Sequence, residues 1–211
     1  LALLDFARTR VGSVPCLLGR VSFTGDLGYE IRCAASYQQQ LFDALMDAGE
    51  PHGIVPFGAQ ALDAMRLDKG WGSWGTEYRP IYDPYEANMG WMVRLEKGDF
   101  IGRDAAAAVK AAGADRRLVL FEMIPGDGDA AADCIGNEPI WHGAGDDAAV
   151  VGWITSGGFA HHSKASIALG YVPAEHATSD GPWQIEVVGQ MRPAERLDAP
   201  PFDPDGTRMR S

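Results

Sequence analysis

The sequence of 211 residues contains no long hydrophobic run. No stretch approaches the roughly 18 consecutive apolar residues that mark a membrane-spanning helix, and no basic segment followed by an apolar one stands at its start. Hydrophobic residues nevertheless make up 46% of the chain, which is enough to bury a sizeable core. We therefore expect a globular protein with no membrane partner.

The chain is also poor in basic residues. It has 18 Lys and Arg against 29 Asp and Glu, a formal net charge of −11, and the basic residues are scattered along the sequence. Such a charge repels a phosphate backbone, and no basic stripe is present to overcome the repulsion. We therefore expect no nucleic acid partner.

The chain has only three cysteines, and their spacing forms no paired motif. Cys16, Cys33 and Cys134 are widely spaced, and the sequence has no CxxC motif. An odd number of isolated cysteines indicates reduced thiols rather than a disulfide framework or a structural zinc site. This usage predicts a cytoplasmic location, or the mitochondrial matrix if the source is eukaryotic.

Several common catalytic motifs are missing. The sequence has no GxSxG and no HExxH, so it predicts no hydrolase nucleophile, and we expect no flavin or nicotinamide site in this chain. His161 and His162 are adjacent, which is not the spacing of two metal ligands on one helix face. We therefore predict no metal site from these residues.

An acidic segment has part of the spacing of a calcium loop. Its four carboxylates stand at positions one, three, seven and twelve, but alanines replace a further ligand and the glycine that the loop needs. The carboxylates are Asp127, Asp129, Asp133 and Glu138, and the alanines are Ala131 and Ala132. We expect no calcium here.

The stretch SFTGDLGYEIRC predicts a tight turn at Gly25 and Gly28, followed by a strand. Glu30 and Arg32 fall on one face of that strand and allow two interpretations. They can form a weak ion pair in solvent. Alternatively, the Glu30 carboxylate can accept two parallel hydrogen bonds from an amino-pyrimidine edge such as that of a pterin. The pattern alone does not choose between them.

Two helices are predicted after this strand. The first runs from about Tyr37 to Ala48, with capping-box spacing at Ser36 and Gln39 and a stop at Gly49. The second lies within GAQALDAMRLDKG. On it Arg66 follows Asp63 by three residues, so Arg66 can form a helical ion pair or offer a fork of donors to a ligand carboxylate.

The segment from Trp71 to Pro84 mixes aromatics with glycine and proline, which predicts a loop. Its aromatics, among them Trp74, can stack on a flat heterocycle or act as packing anchors. The next stretch, WMVRLEKGDF, predicts a strand and turn. GRDAAAAVKAAG predicts an alanine-rich helix that ends at Gly113.

Beyond Gly113 the pattern becomes that of a β protein. Six short apolar or alternating runs are separated mostly by glycine, proline or aspartate, which predicts a small antiparallel barrel or sandwich. We therefore divide the chain into residues 1–113 and residues 114–211. The final APPFDPDGTRMRS predicts a proline-rich, extended tail.

Four blocks carry a family resemblance. They are SFTGDLGYEIRC, PFGAQALDAMRLDKGWGSWGTEY, EANMGWMVRLEKGDFIGRDA and VVGWITSGGFAHHSKASIALGYVP. In order and spacing they resemble the glycine-cleavage T-protein (aminomethyltransferase) superfamily over nearly the whole chain. MRLDKGWGSWG, LEKGDFIGRDA and the tail are more similar to the C-terminal folate-binding region of FAD-dependent dimethylglycine and sarcosine dehydrogenases.

The resemblance implies an α+β fold, the C-terminal part of a folate-binding cloverleaf followed by a small antiparallel β-barrel. It implies tetrahydrofolate as the cofactor. Glu30 matches the glutamate that holds the pterin edge, and Tyr29 belongs to the same motif. Arg66 falls in a block that lines the folate pocket, and Trp74 matches an aromatic near the ligand.

The family chemistry implied is transfer of a one-carbon unit, derived from an N-methyl amine in the dehydrogenases, to tetrahydrofolate. FAD would belong to a separate upstream domain or chain. The family's assisting aspartate lies upstream of the block matching SFTGDLGYE, so no catalytic residue is assigned here, and we expect the chain to be a fragment or subunit of a larger enzyme. The alternatives are a fragment of a stand-alone T-protein, a folate-dependent O- or S-demethylase, or a non-catalytic folate-binding subunit.

Overall fold

The computed structural model describes residues 1–125 and 132–211. The acidic segment that has partial calcium-loop spacing falls partly outside these residues, because Asp127, Asp129 and Ala131 are not among them. In the described ranges no helix is long and apolar enough to cross a membrane.

A small antiparallel sheet opens the chain. Its strands are β1 (Phe6–Val11), β2 (Val14–Gly19) and β3 (Glu30–Arg32), in that spatial order. The strand predicted after the glycine turn is confirmed as β3, with Glu30 opposite Gly19 in the register. The sequence analysis did not predict β1 and β2. Most of β1 is exposed, so it shows no alternation of apolar and polar residues from which a strand could be read.

The three predicted helices are confirmed as α1 (Gln38–Gly49), α2 (Ala59–Asp68) and α3 (Arg103–Ala112). The predicted capping box is wrong, because the Gln39 side chain donates to Asp43 Oδ1 at 2.8 Å and no side chain caps α1. The predicted stop at Gly49 is confirmed, because α1 ends at that residue. A 3-10 turn at Glu50–His52 follows, and the chain turns away at Gly53, whose φ of 73° is left-handed.

The segment between α2 and α3 has only turns and short 3-10 segments. This confirms the loop predicted from Trp71 to Pro84. The strand predicted in WMVRLEKGDF is wrong, because 3-10 turns at Gly90–Met92 and Leu95–Lys97 replace it. The amide of Met92 donates to the carbonyl of Met89 at 2.9 Å, so the backbone is satisfied locally rather than by a neighbouring strand.

A closed antiparallel barrel forms the second part of the chain. Its spatial order is β4-β7-β6-β5-β8-β9. The strands are β4 (Arg116–Met123), β5 (Pro139–His142), β6 (Ala149–Ala160), β7 (Ala165–Pro173), β8 (Trp183–Val187) and β9 (Gln190–Leu197). The predicted small barrel is therefore confirmed, and every strand coincides with one of the six predicted runs.

Strand β4 is buried on both of its faces. Val119, Phe121 and Met123 point into the barrel core, whereas Leu118 and Leu120 join a second cluster outside it. Alternate side chains of a strand face opposite ways, so this arrangement explains the continuous apolar run in RRLVLFEMI. The second cluster contains Leu67 of α2, Leu169 and Tyr171. Through it, α2 packs against the outer surface of the barrel.

The C-terminal tail packs against the rest of the protein, which the predicted extended tail would not do. Phe202 is buried, its amide donates to the carbonyl of Asp68 at 3.0 Å, and its ring meets the His162 ring edge-on. A 3-10 turn at Arg208–Arg210 follows. The tail therefore folds back onto the end of α2 and onto the turn between β6 and β7.

Candidate functional site

Glu30 lies at an accessible edge of the small sheet. Strand β3 pairs with β2 on one side only, and the Glu30 side chain is 53% exposed. Its Oε2 accepts a hydrogen bond from Arg32 Nη2 at 3.2 Å, the ion pair foreseen in the first of the two interpretations. Tyr29 beside it is 51% exposed. Both side chains are therefore accessible to a bound molecule.

The turn that carries Glu30 is held against α2. Gly25 has a φ of 86°, and a Cβ at this position would lie 2.6 Å from Cδ of the buried Lys69 side chain. A Cβ on Gly28 would lie 2.7 Å from the carbonyl oxygen of Val21. Both glycines are thus required by close approach, and Gly25 by its backbone conformation as well. The turn has little freedom to move relative to Lys69.

The C-terminal tail completes this arrangement. Lys69 Nζ donates to the carbonyl of Asp203 and lies 3.5 Å from its carboxylate. The Asp203 carboxylate accepts from the amide and hydroxyl of Thr207 and from the amide of Arg208. Arg208 in turn contacts Asp26 of the glycine turn at 2.7 Å. The tail therefore joins the end of α2 to the turn before Glu30.

A cleft of about 1300 Å³ opens between the glycine turn, the end of α2, the loop after it, strand β4 and the tail. Its wall is rich in aromatic side chains, namely Phe23, Trp71, Trp74, Tyr78 and Trp91. Val21 and Ser22, on which Gly28 packs, also line it. Of the four predicted ligand contacts only Trp74 lines the cleft, and its side chain is exposed there.

Arg66 lies behind the cleft wall, not on it. It is 4% exposed, and its Nε donates to Asp63 Oδ1 at 3.1 Å, the helical ion pair that its spacing allowed. Its Nη1 donates to the carbonyl of Trp71, to Ser156 Oγ and to Glu77 Oε2, at 3.1, 3.0 and 3.4 Å. These contacts occupy Nε and Nη1 of Arg66 with protein acceptors, and the contacts of Nη1 to Ser156 and Glu77 are buried.

Glu77 is a buried residue that the sequence analysis did not single out. It is fully buried, and its carboxylate accepts hydrogen bonds from Ser156, Thr76, the amide of Ser73 and Arg66. Burial raises the pKa of this carboxyl, but hydrogen bonds from Ser156, Thr155, Thr76 and Ser73 outweigh it and hold the pKa below its ordinary value. Glu77 is therefore ionised at neutral pH and forms an ion pair with Arg66.

The block RLDK serves to dock α2. Arg66 reaches Ser156 of β6, and Leu67 enters the second apolar cluster. The Asp68 carboxylate accepts from the amides of His162 and Ser163 at 3.1 and 3.0 Å. With the Lys69 contact to the tail, four consecutive side chains contact four separate parts of the structure. A helical pattern alone did not indicate this, because the partners lie far away in sequence.

No group of three or more His, Cys, Asp or Glu side chains within residues 1–125 and 132–211 is arranged to hold a metal ion. His161 packs edge-on against Phe159, and His162 against Phe202. These two histidines therefore face different aromatic neighbours.

Two family profiles match the chain in order. The GCVT N-terminal domain matches residues 1–97, and the glycine cleavage T-protein C-terminal barrel domain matches residues 116–203. They lie on either side of the division predicted after residue 113, which itself stays a prediction. The crystal structure of glycine cleavage system aminomethyltransferase T from Bartonella henselae superposes with a TM-score of 0.81. It covers 97% of this chain and 54% of that one at 21% identity, a likeness that shows the fold.

Curated relatives come from two groups of enzymes. Human mitochondrial dimethylglycine dehydrogenase is 35% identical over 202 residues, which is 95% of this chain and 22% of that protein. The aminomethyltransferase of Symbiobacterium thermophilum is 36% identical over 196 residues, which is 90% of this chain and 49% of that protein. The chain thus spans between about a fifth and a half of the length of these relatives. With both family profiles matched and the fold shared, the chain belongs to the glycine cleavage T-protein family.

Proposed function

We propose that this chain forms part of a tetrahydrofolate-binding site for one-carbon transfer, with Glu30 holding the pterin edge. The observation that carries the proposal is the accessible Glu30 carboxylate, which follows a turn held against α2 and the tail. Val21 and Ser22, which contact Gly28 of this turn, line the aromatic cleft. An ionised carboxylate only accepts hydrogen bonds, as an edge of adjacent NH2 and NH donors requires.

The four predicted contact residues differ in how well their positions suit such a ligand. Glu30 offers its acceptors, Tyr29 is exposed beside it, and Trp74 presents an exposed ring in the cleft. Arg66 fits less well, since its Nε and Nη1 already donate to protein acceptors. We therefore propose Glu30, Tyr29 and Trp74 as ligand contacts. For Arg66, the contacts favour a role in holding the cleft wall over the predicted direct contact with the ligand.

Tetrahydrofolate, when bound, supplies the amine that accepts the one-carbon unit and becomes methylenetetrahydrofolate. The part of this chain is to bind and orient. Glu30 fixes the rotation of the flat ring through two parallel hydrogen bonds, and an aromatic ring such as that of Trp74 limits its tilt by stacking. No general acid or base is assigned among these residues.

Within the family, we propose the N-methyl amine dehydrogenase context, in which FAD is held by a separate domain or subunit and oxidises the amine. Human dimethylglycine dehydrogenase matches 95% of this chain, which supports it. The nearly equal identity of the Symbiobacterium thermophilum aminomethyltransferase keeps the stand-alone transferase as the second candidate. Either context suits the cytoplasm or, in a eukaryote, the mitochondrial matrix.

The test is a calorimetric titration of the natural full-length protein with tetrahydrofolate. Glu30→Ala should weaken binding by about 2 kcal/mol, roughly 30-fold, because a charged double acceptor is lost. Arg32→Ala is the matched control, since it breaks the Glu30 ion pair but leaves the carboxylate, and it should change the affinity less than about threefold. Equal, small effects of both variants would favour the solvated ion pair and contradict the proposal.

Product analysis separates the remaining alternatives. Incubation of the full-length protein with tetrahydrofolate and an N-methyl amine should yield methylenetetrahydrofolate. Methyltetrahydrofolate would instead indicate a demethylase, because the two products differ in oxidation state. Folate binding without turnover would indicate a non-catalytic binding subunit.

A further inference from the structure

The loop that follows α2 is closed on itself by polar contacts. Its residues are those of WGSWGTEY, from 71 to 78. The amide of Gly72 donates to the Tyr78 hydroxyl at 3.0 Å, and the amide of Ser73 donates to the Glu77 carboxylate at 2.7 Å. Both hydrogen bonds span Trp74 in the sequence. Its side chain is 76% exposed, whereas Glu77 is fully buried. The loop therefore presents one large aromatic ring outward and one carboxylate inward.

Glu77 also ties this loop to the rest of the fold. Its Oε1 accepts from Ser156 Oγ of β6 at 2.5 Å, and its Oε2 lies 3.4 Å from Arg66 Nη1 of α2. Its own carbonyl accepts from the hydroxyl of Tyr171 on β7 at 2.8 Å. A single residue thus joins the loop to the helix and to two barrel strands.

These contacts oppose any rearrangement of the loop. Moving Glu77 would leave the Arg66 guanidinium without its buried counter-charge, and it would uncover a carboxylate that is fully desolvated. Ser73 and Thr76 on either side of Trp74 donate to the same carboxylate. The loop segment that carries Trp74 is therefore held from behind, by a carboxylate that does not line the cleft.

We propose that Glu77 is a positioning residue that holds Trp74 over the aromatic cleft, so that the ring can stack on the bound heterocycle. This inference rests on the proposed function for its ligand but not for the geometry of the loop. It goes beyond that function by assigning a role to a buried residue that contacts no ligand.

The test uses two substitutions in the natural full-length protein, alone and together. Glu77→Gln keeps the size of the side chain but removes its charge and places a donor among donors. If Glu77 acts through Trp74, Glu77→Gln should weaken tetrahydrofolate binding about tenfold in the wild-type background, as expected for loss of one stacking contact. In a Trp74→Leu background it should weaken binding less than about twofold, because the stacking partner is already gone. An equal loss in both backgrounds would overturn the proposal.

A second readout does not need the ligand. The emission of Trp74, obtained as the difference between the wild type and Trp74→Phe, should change its acrylamide quenching when Glu77 becomes Gln. Unchanged quenching would overturn the proposal even if folate binding changes. Conversely, altered quenching in a protein that binds no tetrahydrofolate would support the loop geometry and overturn the proposed function.

Two further variants serve as controls. Thr76→Val removes one donor to Glu77 inside the loop and leaves the contacts to Arg66 and Ser156, so it tests the same role if Glu77→Gln does not fold. It should alter Trp74 quenching in the same direction, and no change would contradict the role of Glu77. Asp63→Ala removes an exposed partner of Arg66 outside the loop and should leave the quenching as it is.

Discussion

At the scale of single residues, Arg66 forms the ion pair that its spacing from Asp63 allowed and also a pair with Glu77 that the sequence did not indicate. The ion pair with Asp63 exists, but the Asp63 side chain is 59% exposed. The pair with Glu77 is buried on both sides. An exposed pair contributes little to stability, whereas removing one partner of a buried pair leaves an uncompensated charge. The Glu77 contact should therefore account for most of the stabilisation by Arg66.

Two substitutions separate the stability contributed by the exposed Asp63 contact from that contributed by all contacts of Arg66. Arg66→Ala should lower the free energy of unfolding by about 3 to 5 kcal/mol, because it leaves Glu77 ionised and buried. Asp63→Ala should lower it by less than about 1 kcal/mol. Urea denaturation of both variants measures the difference. Similar losses in the two would mean that the surface ion pair dominates.

Gly25 allows a second comparison at this scale. Gly25→Ala places a Cβ in a left-handed conformation and against the Lys69 stem, whereas Gly53→Ala has a similar φ of 73° but nothing within 4 Å. The strain alone should cost both variants roughly 1 to 2 kcal/mol. We expect the melting temperature of Gly25→Ala to be the lower of the two. Equal melting temperatures would show that the turn is not packed on Lys69.

At the scale of elements, the sequence predicted what depends on local pattern. The alanine-rich α3 and the six barrel strands follow from intrinsic propensity, alternation and turn residues, and the structure has them. Strand β1 was missed because little covers it, so its residues carry no burial pattern. The strand predicted after Gly90 failed because apolar residues in WMVRLEKGDF form local 3-10 turns.

The candidate site depends more on contacts between elements. Glu30 could be singled out because the glycine turn and the charge pattern are local. Glu77 could not, since its partner Ser156 lies 79 positions along the chain and meets it only when α2 docks on the barrel. The RLDK block was likewise recognisable as a motif. Its docking role followed from partners in β6, in the turn after β6 and in the tail.

At the scale of the whole molecule, the tail links the barrel end of the chain to the turn before Glu30. Asp203 is central, since it accepts from Thr207 and Arg208 and contacts Lys69. The hydrogen bond from the Thr207 hydroxyl is the largest influence that lowers the pKa of Asp203, and with the Arg208 and Thr207 amides and Lys69 it brings the pKa to about 2 from an ordinary value of 3.8. The folded state therefore favours the ionised form.

This shift predicts how the stability of the tail depends on pH. Because the pKa is lower in the folded state, the stabilisation is fully present above the unfolded value of 3.8 and is lost as pH falls towards about 2. Asp203→Asn should therefore have a lower melting temperature than the wild type from pH 5 to 8. The difference should shrink between pH 4 and pH 2. A difference that stays constant to pH 2 would contradict the role of the Asp203 charge.

The central claim is that the Glu30 carboxylate holds the amino-pyrimidine edge of the folate. The most direct measurement compares tetrahydrofolate with its 2-desamino analogue, by calorimetric titration of the natural full-length protein and its Glu30→Ala variant. The wild type should bind the analogue about tenfold or more weakly, because one of two charged hydrogen bonds is lost, and the variant should bind the two ligands almost equally. Equal discrimination by both proteins would place the pterin edge elsewhere and contradict the account.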